Sequence, residues 1–268
     1  MPRTEKAGLP IYWTTFGQGP RAALMIHCAL SHSGIWGPLA GGLAGALSMT
    51  AFDMPGHGRS AAWDGQGEFQ AVTMRIAAGF LDAPADIIGH SFGATVALRL
   101  AVERPALVRS LTLIEPVFFA VALADDPASR APFAAQTAEL EAAMARGDAF
   151  AAARTFTRDW GDGTPWEALP EERRRQMAEG MPLVLAGQAA LRDDPGGMLA
   201  PGMLAGLSAP ALLIEGSESP AIIAAINEGL AARLPSVARA VIMGAAHMAP
   251  ATHAPQVSAE ILQFLERV

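Results

Sequence analysis

Short apolar runs alternate with longer stretches of helical periodicity at both ends of the 268-residue sequence. This alternation is what βαβ units around a mostly parallel sheet produce. The runs that read as strands are Ile11–Thr14, Ala22–His27, Met49–Phe52, Asp86–Ile88, Val108–Ile114, Ala211–Ile214 and Ala238–Met243. Between them Phe69, Val72, Ile76 and Phe80 recur every three or four residues, which places them on one face of a helix over 69–81. Ile222, Ile223, Ile226 and Leu230 do the same between Pro220 and Pro235, and the closing segment carries Val257, Ile261, Leu262 and Leu265.

From about Val117 to Leu207 the strand-like runs disappear and helix formers such as 134–146 and 149–157 take over. The expected organisation is an α/β core over 1–116 and 206–268, interrupted by an all-helical cap insertion over 117–205. The turn-forming residues 161–165 would break the insertion internally, and the Pro/Gly-rich stretch 194–206 would lead out of it.

The length suits one such domain, and an apolar fraction of 51% supplies a sizeable core. A net charge of -7 argues against nucleic acid or an anionic membrane surface as a partner. No apolar run reaches the roughly 18 residues that span a bilayer. The opening MPRTEKAGLP lacks the apolar stretch of a signal peptide, and Cys28, the single cysteine, has no partner for an internal disulfide. A cytoplasmic protein is the expectation, and no sequence feature sets its oligomeric state.

The run Gly89-His90-Ser91-Phe92-Gly93 carries the chemistry. A bare Gly-x-Ser-x-Gly turns up by chance in roughly one such chain in ten, so its context decides. Here it follows the apolar run 85–88 and opens the helical stretch 94–102, which puts Ser91 at a strand-to-helix turn. The glycines let strand and helix approach, and the helix N-terminus favours developing negative charge. The alternative is a plain helix N-cap serine.

Together with Ile26-His27-Cys28-Ala29, the run from Phe52 to Ser60 and Gly244-Ala245-Ala246-His247-Met248, this elbow resembles the α/β-hydrolase superfamily over nearly the whole chain. The resemblance implies that Ser91 is a nucleophile activated by a histidine after the last strand, which is His247, with His253 as competitor. It also implies an oxyanion hole from the backbone amides of Phe92 and Ala29. Cys28 stands where Gly is common, and reads as either a reactive thiol or a small buried residue. His27 would brace the oxyanion loop, His57 belongs to a Gly-rich turn, His90 points into packing and His32 could reach the pocket mouth. No histidine pair has zinc-ligand spacing, so neither a metal nor a cofactor is expected.

The third member of the triad has left its usual place. The position of the common Asp is Ser219, in Gly216-Ser217-Glu218-Ser219-Pro220. Glu115, at the end of the strand after the elbow, is the favoured acid because some branches of the superfamily carry it there; Glu218 is the runner-up, and Glu215 reads as a strand-end residue.

A serine at the elbow disfavours dehalogenase and epoxide hydrolase chemistry, which in this fold use Asp. The remaining small-molecule substrates are an ester, thioester or lactone. A C–C bond hydrolase of the meta-cleavage type is the alternative, and a ligand-binding member with vestigial hydrolysis is another. Aromatic and large apolar residues of the insertion (Phe118, Phe119, Phe133, Phe150, Phe156, Trp160, Trp166 and Met181) would roof an acyl or aromatic group, with only a fraction facing it. Arg173-Arg174-Arg175 reads as a solvated helix face or an attractor of anionic substrate.

Overall fold

Eight strands join into one sheet in the computed structural model, which describes residues 2–268. In chain order the strands are β1 (Arg3–Lys6), β2 (Leu9–Phe16), β3 (Arg21–Ile26), β4 (Leu47–Phe52), β5 (Ala85–His90), β6 (Val108–Ile114), β7 (Ala211–Gly216) and β8 (Val237–Ile242). Their order in the sheet is β1-β2-β4-β3-β5-β6-β7-β8; β2 pairs antiparallel with both β1 and β4, and all other pairings are parallel.

The helices are α1 (Gly37–Leu43), α2 (Phe69–Ala78), α3 (Phe92–Glu103), α4 (Phe119–Asp125), α5 (Arg130–Ala145), α6 (Ala149–Trp160), α7 (Glu171–Arg192), α8 (Ala221–Ala231), α9 (Ala249–Thr252) and α10 (Ala254–Leu265). The sheet is covered on both faces, as a parallel sheet must be when its strands are apolar throughout. Alternate residues of β5 enter different layers. Ile87 packs with α2 and α3, while Ile88 packs with α1 and α10. The stretch from Ile114 to Ala211 contains helices and turns, and α5, α6 and α7 share an apolar cluster of their own around Leu140, Ala152 and Met181.

Strand β6 coincides with its sequence-based bounds, and the other expected strands shift by one or two residues at one or both ends. β1 is a correction. Its sequence, Arg-Thr-Glu-Lys, has no apolar alternation, and only antiparallel pairing with β2 makes it a strand. The helix expected over 69–81 ends at Ala78; Phe80 and Leu81 still pack on the core, from the turn beyond. Among the described residues no helix is long and apolar enough to cross a membrane.

Two parallel pairings position the site. His90 lies opposite Ile114 in the β5/β6 register and Ile114 opposite Ile214 in β6/β7. Ser91 and Glu115 therefore leave neighbouring strands at one level, beside Glu215 near the end of β7, at the carboxyl ends where open α/β sheets bind ligands.

Candidate active site

Ser91 has φ 55° and ψ -119°. A residue with a β-carbon pays of order 1–3 kcal/mol to sit there, and the surroundings enforce it. A β-carbon on Gly89 would lie 2.4 Å from the carbonyl oxygen of Gly93, and one on Gly93 would lie 2.1 Å from that of Ile26. Strand and helix backbones are in contact at the turn, so glycine alone fits. The Ser91 amide donates to the Ile114 carbonyl at 2.9 Å, which ties the elbow to β6.

Glu115 also has a positive φ, 52°. Its carboxylate is fully buried, and every partner needed to keep it so is present. Oε1 accepts from the Gly216 amide at 2.6 Å and from the Ser219 hydroxyl at 2.7 Å, while Oε2 faces Nδ1 of His247 at 3.0 Å. Because a carboxylate only accepts, Nδ1 carries the proton and the Nε2 lone pair is free. The Ser91 hydroxyl, 2.9 Å away, donates to that Nε2. The chain Ser91–His247–Glu115 can thus move the serine proton to the imidazole and hold the resulting positive charge against a carboxylate.

His247 is fixed from two further sides. Its carbonyl accepts from Nε2 of His90 at 2.8 Å, and the Trp160 ring meets its imidazole edge-on, with centroids 4.8 Å apart. Burial pushes the His90 imidazole down to about 3, so it stays neutral. Glu218 is outside this arrangement: it is exposed, with Ser217 Oγ 3.3 Å from its Oε1. Glu215 accepts instead from Asn227 at 2.7 Å. His253 contacts Thr252, and His32 is exposed, with Nδ1 accepting from the Gly34 amide.

The loop after β3 is pinned by two histidines. His27 donates from Nδ1 to the Cys28 carbonyl at 2.7 Å and accepts at Nε2 from the Met54 amide at 3.0 Å. His57 donates from Nδ1 to Pro55 and accepts at Nε2 from the Leu30 amide. Desolvation holds both imidazoles below the ordinary histidine range, which keeps each in the neutral tautomer these bonds require. Among the described residues the amides of Ala29 and Phe92 donate to no protein acceptor. Both residues line the cavity over Ser91. Burial raises the Cys28 thiol to about 11, so it is a small packed residue and not a thiolate.

The cavity measures about 70 Å³. Phe69 and Phe92 form its base, and Phe119, Phe133, Phe156 and Trp160 close it from the helical segment. Of the other large residues singled out there, Phe118 and Met181 are packed away from it, Trp166 packs against the α5–α7 cluster, and Phe150 is exposed. Helix α7 comes close through its glycines. A β-carbon on Gly187 would meet the Phe92 ring at 2.8 Å, and one on Gly180 would meet Leu30 at 2.4 Å. Thr137, Glu141, Thr155, Asp159 and Gln188 add polar groups to the lining. Among the described residues no three His, Cys, Asp or Glu side chains converge as metal ligands.

A sequence model of the alpha/beta hydrolase family matches residues 23–261. The chain belongs to the alpha/beta hydrolase family. Curated relatives of this alpha/beta hydrolase match over shorter stretches. Lipase LipV of Mycobacterium tuberculosis is 39% identical over 101 residues, 37% of this chain and 38% of that protein. The pimeloyl-[acyl-carrier protein] methyl ester esterase of Methylococcus capsulatus is 36% identical over 107 residues, 39% and 40% of the two chains. The chain thus spans about two-fifths of the length of these relatives. Among solved structures, an alpha/beta hydrolase from Sphaerobacter thermophilus superposes with a TM-score of 0.71 at 22% identity, covering 97% of this chain and all of that one. Est816, described as an N-acyl homoserine lactone degrading enzyme, gives 0.72 at 19% identity, covering 98% of this chain and all of its own. At such identities the structures speak for the fold of this alpha/beta hydrolase alone.

Sequence reasoning missed two groups in the site. The sequence marks Ser219 only as the seat of a lost Asp, with no sign that its hydroxyl reaches Glu115. It reads His57 as part of a turn, whereas the imidazole holds the amide beside Ala29.

Proposed function

We propose that this alpha/beta hydrolase is a serine esterase for small carboxylic esters, working through an acyl-enzyme. The observation that carries the reading is the unbroken hydrogen-bond chain from the strained Ser91 through His247 to the buried Glu115. The names of the partial relatives, a lipase and a methyl ester esterase, point the same way.

In this reading Ser91 Oγ attacks the ester carbonyl carbon while Nε2 of His247 takes its proton. The carbonyl oxygen becomes an oxyanion and accepts from the amides of Ala29 and Phe92. The C–O bond to the alcohol then breaks, and the leaving oxygen takes the proton back from Nε2. Water, deprotonated by the same Nε2, attacks the acyl carbon; the bond to Ser91 Oγ then breaks, Oγ takes the proton from Nε2, and the acid is released. Glu115 keeps the Nδ1 proton in place and offsets the imidazolium charge in both halves. The segment 117–205 serves as a lid, supported by the aromatic side chains it places over Ser91 and by its own apolar cluster.

A cavity of about 70 Å³ is small beside the roughly 300–1,000 Å³ of drug-sized ligand pockets. Acyl groups of a few carbons suit it. Thioesters and lactones with equally small acyl parts fit the same chemistry. Labelling with a serine-directed fluorophosphonate tests the reading: wild type is expected to label and Ser91→Ala not to. A series of p-nitrophenyl esters should give the highest kcat/KM at two to four acyl carbons. An unlabelled wild type, inert on every ester, overturns the esterase reading and leaves C–C cleavage or ligand binding.

A further inference from the structure

The three arginines that open α7 separate in space. Arg175 pairs with Glu172 and Glu179 on the outer face of the helix. Arg173 is exposed and stands between an open groove that also holds His32 and Glu179 and a second cavity of about 90 Å³, lined also by Cys28, Ser31, Thr157, Trp160 and Met248. Its Nη2 donates to the Leu30 carbonyl at 3.4 Å, and among the described residues no carboxylate lies within 4.0 Å of its guanidinium. Asp162, exposed at the rim of the same cavity, accepts from the Thr164 amide at 2.9 Å, and that bond, with the nearby Arg173 charge as a lesser cause, holds its carboxyl below the usual range. The Cys28 thiol, neutral at physiological pH, adds no negative charge.

The second cavity shares Ala29, Phe156 and Trp160 with the one over Ser91, so the two are neighbouring chambers on either side of these residues. Their relation to His247 sorts them. A leaving oxygen has to take its proton from Nε2 of His247, so the leaving group lies on the imidazole side of the serine. Met248, next to the base, lines the second chamber and not the first. Ser91 and Phe92 line the first and not the second.

We propose that the second chamber receives the leaving group, and that Arg173 makes the enzyme selective for esters whose leaving alcohol carries a carboxylate. This rests on the ester-hydrolase reading of Ser91 and gives it a substrate class: short-chain acyl esters of hydroxy acids. A guanidinium suits a carboxylate because its planar fork matches both oxygens. Ser31 adds a hydroxyl to the same space, whereas the Thr157 hydroxyl donates to the Ala153 carbonyl at 2.7 Å.

The test compares butanoyl esters of 4-hydroxybenzoate and 4-hydroxybenzamide, which share acyl group and ring and differ in charge. The ratio of kcat/KM for the anionic over the neutral ester is expected to fall about ten-fold in Arg173→Gln. It should survive largely in Arg173→Lys and stay unchanged in Arg175→Gln, whose side chain faces away. Calorimetric binding of the two free phenols supplies a readout that needs no turnover. The benzoate should bind about ten-fold tighter than the benzamide to wild type and equally to Arg173→Gln. Equal affinity for both phenols in wild type, or an anionic preference that survives in Arg173→Gln, overturns the proposal. Absence of ester turnover with the binding preference intact overturns the esterase reading instead.

Discussion

The hydroxyl of Ser219 donates to Oε1 of Glu115 at 2.7 Å. The residue standing where this fold commonly keeps its acid therefore holds, by hydrogen bond, the carboxylate proposed to do that work from the end of a different strand. In the proposed reading the two strand ends exchange duties, and each can be tested separately.

Removing the charge at Glu115 should be severe. In Glu115→Gln the amide presents a donor or a weaker acceptor to Nδ1 and leaves an imidazolium unbalanced, so kcat is expected to drop about 10³–10⁴-fold. Glu218→Gln, on an exposed side chain, should stay within about two-fold. Steady-state kinetics on a p-nitrophenyl ester decides; a large loss in the second variant and a small one in the first would move the acid to Glu218.

Returning the carboxylate to its common position should restore function. Glu115→Ala combined with Ser219→Asp is expected to recover at least about ten-fold in kcat over Glu115→Ala alone. Ser219→Asp by itself should be damaging, because two buried carboxylates in contact cannot both ionise. If the double variant is no better than the single one, the space around Ser219 does not present an acid to His247.

Glycine is required at the elbow for contact reasons, and this predicts opposite outcomes at two sites. In Gly93→Ala the new β-carbon would be 2.1 Å from a backbone oxygen of β3. The expected loss is about 3 kcal/mol or more, since neither backbone can move without the sheet. Gly41, inside α1, has nothing within 4 Å of its β-carbon position. There, Gly41→Ala should gain about 0.5–1 kcal/mol. Urea unfolding of both variants measures it, and comparable effects at the two positions would refute the account.

Acid should destabilise the protein through its buried neutral histidines. An unfolded histidine takes up its proton near pH 6.5, whereas burial and the neighbouring His247 keep His90 neutral down to about 3. Between those values the unfolded chain binds the extra proton. The His90 contribution is therefore complete above about 6.5 and is lost as pH falls toward about 3, at up to roughly 1.4 kcal/mol per pH unit. His27 and His57 act in the same direction. Urea midpoints at about pH 7.5 and 5 should therefore diverge in wild type and less so in His90→Gln; an unchanged slope in that variant would contradict the assignment.

Most of the fold was legible because burial leaves a periodic trace. β6 reads correctly to the residue, since its apolar run is bounded by Glu115 and Pro116. β1 was not legible, because an edge strand of Arg, Thr, Glu and Lys owes its conformation to a partner and not to its composition. The same limit applies at the site. Ser91 and His247 announce themselves by local turns of small residues. The Ser219–Glu115 bond joins residues far apart in sequence, and the place of Arg173 beside the second cavity depends on where α7 meets Leu30; neither has a local pattern.

Ser91 and Glu115 follow residues paired directly across β5 and β6, before the chain enters its long helical excursion. The proposed nucleophile and its carboxylate are thus set by one strand pairing, and only Ser219, Gly216 and His247 have to be delivered from the far side. A roof of different length or shape could then be spliced between Pro116 and Gly206 without re-registering either group. Chemistry and substrate choice would become separable inheritances: grafted helices could bring new chambers while the reacting atoms kept their places.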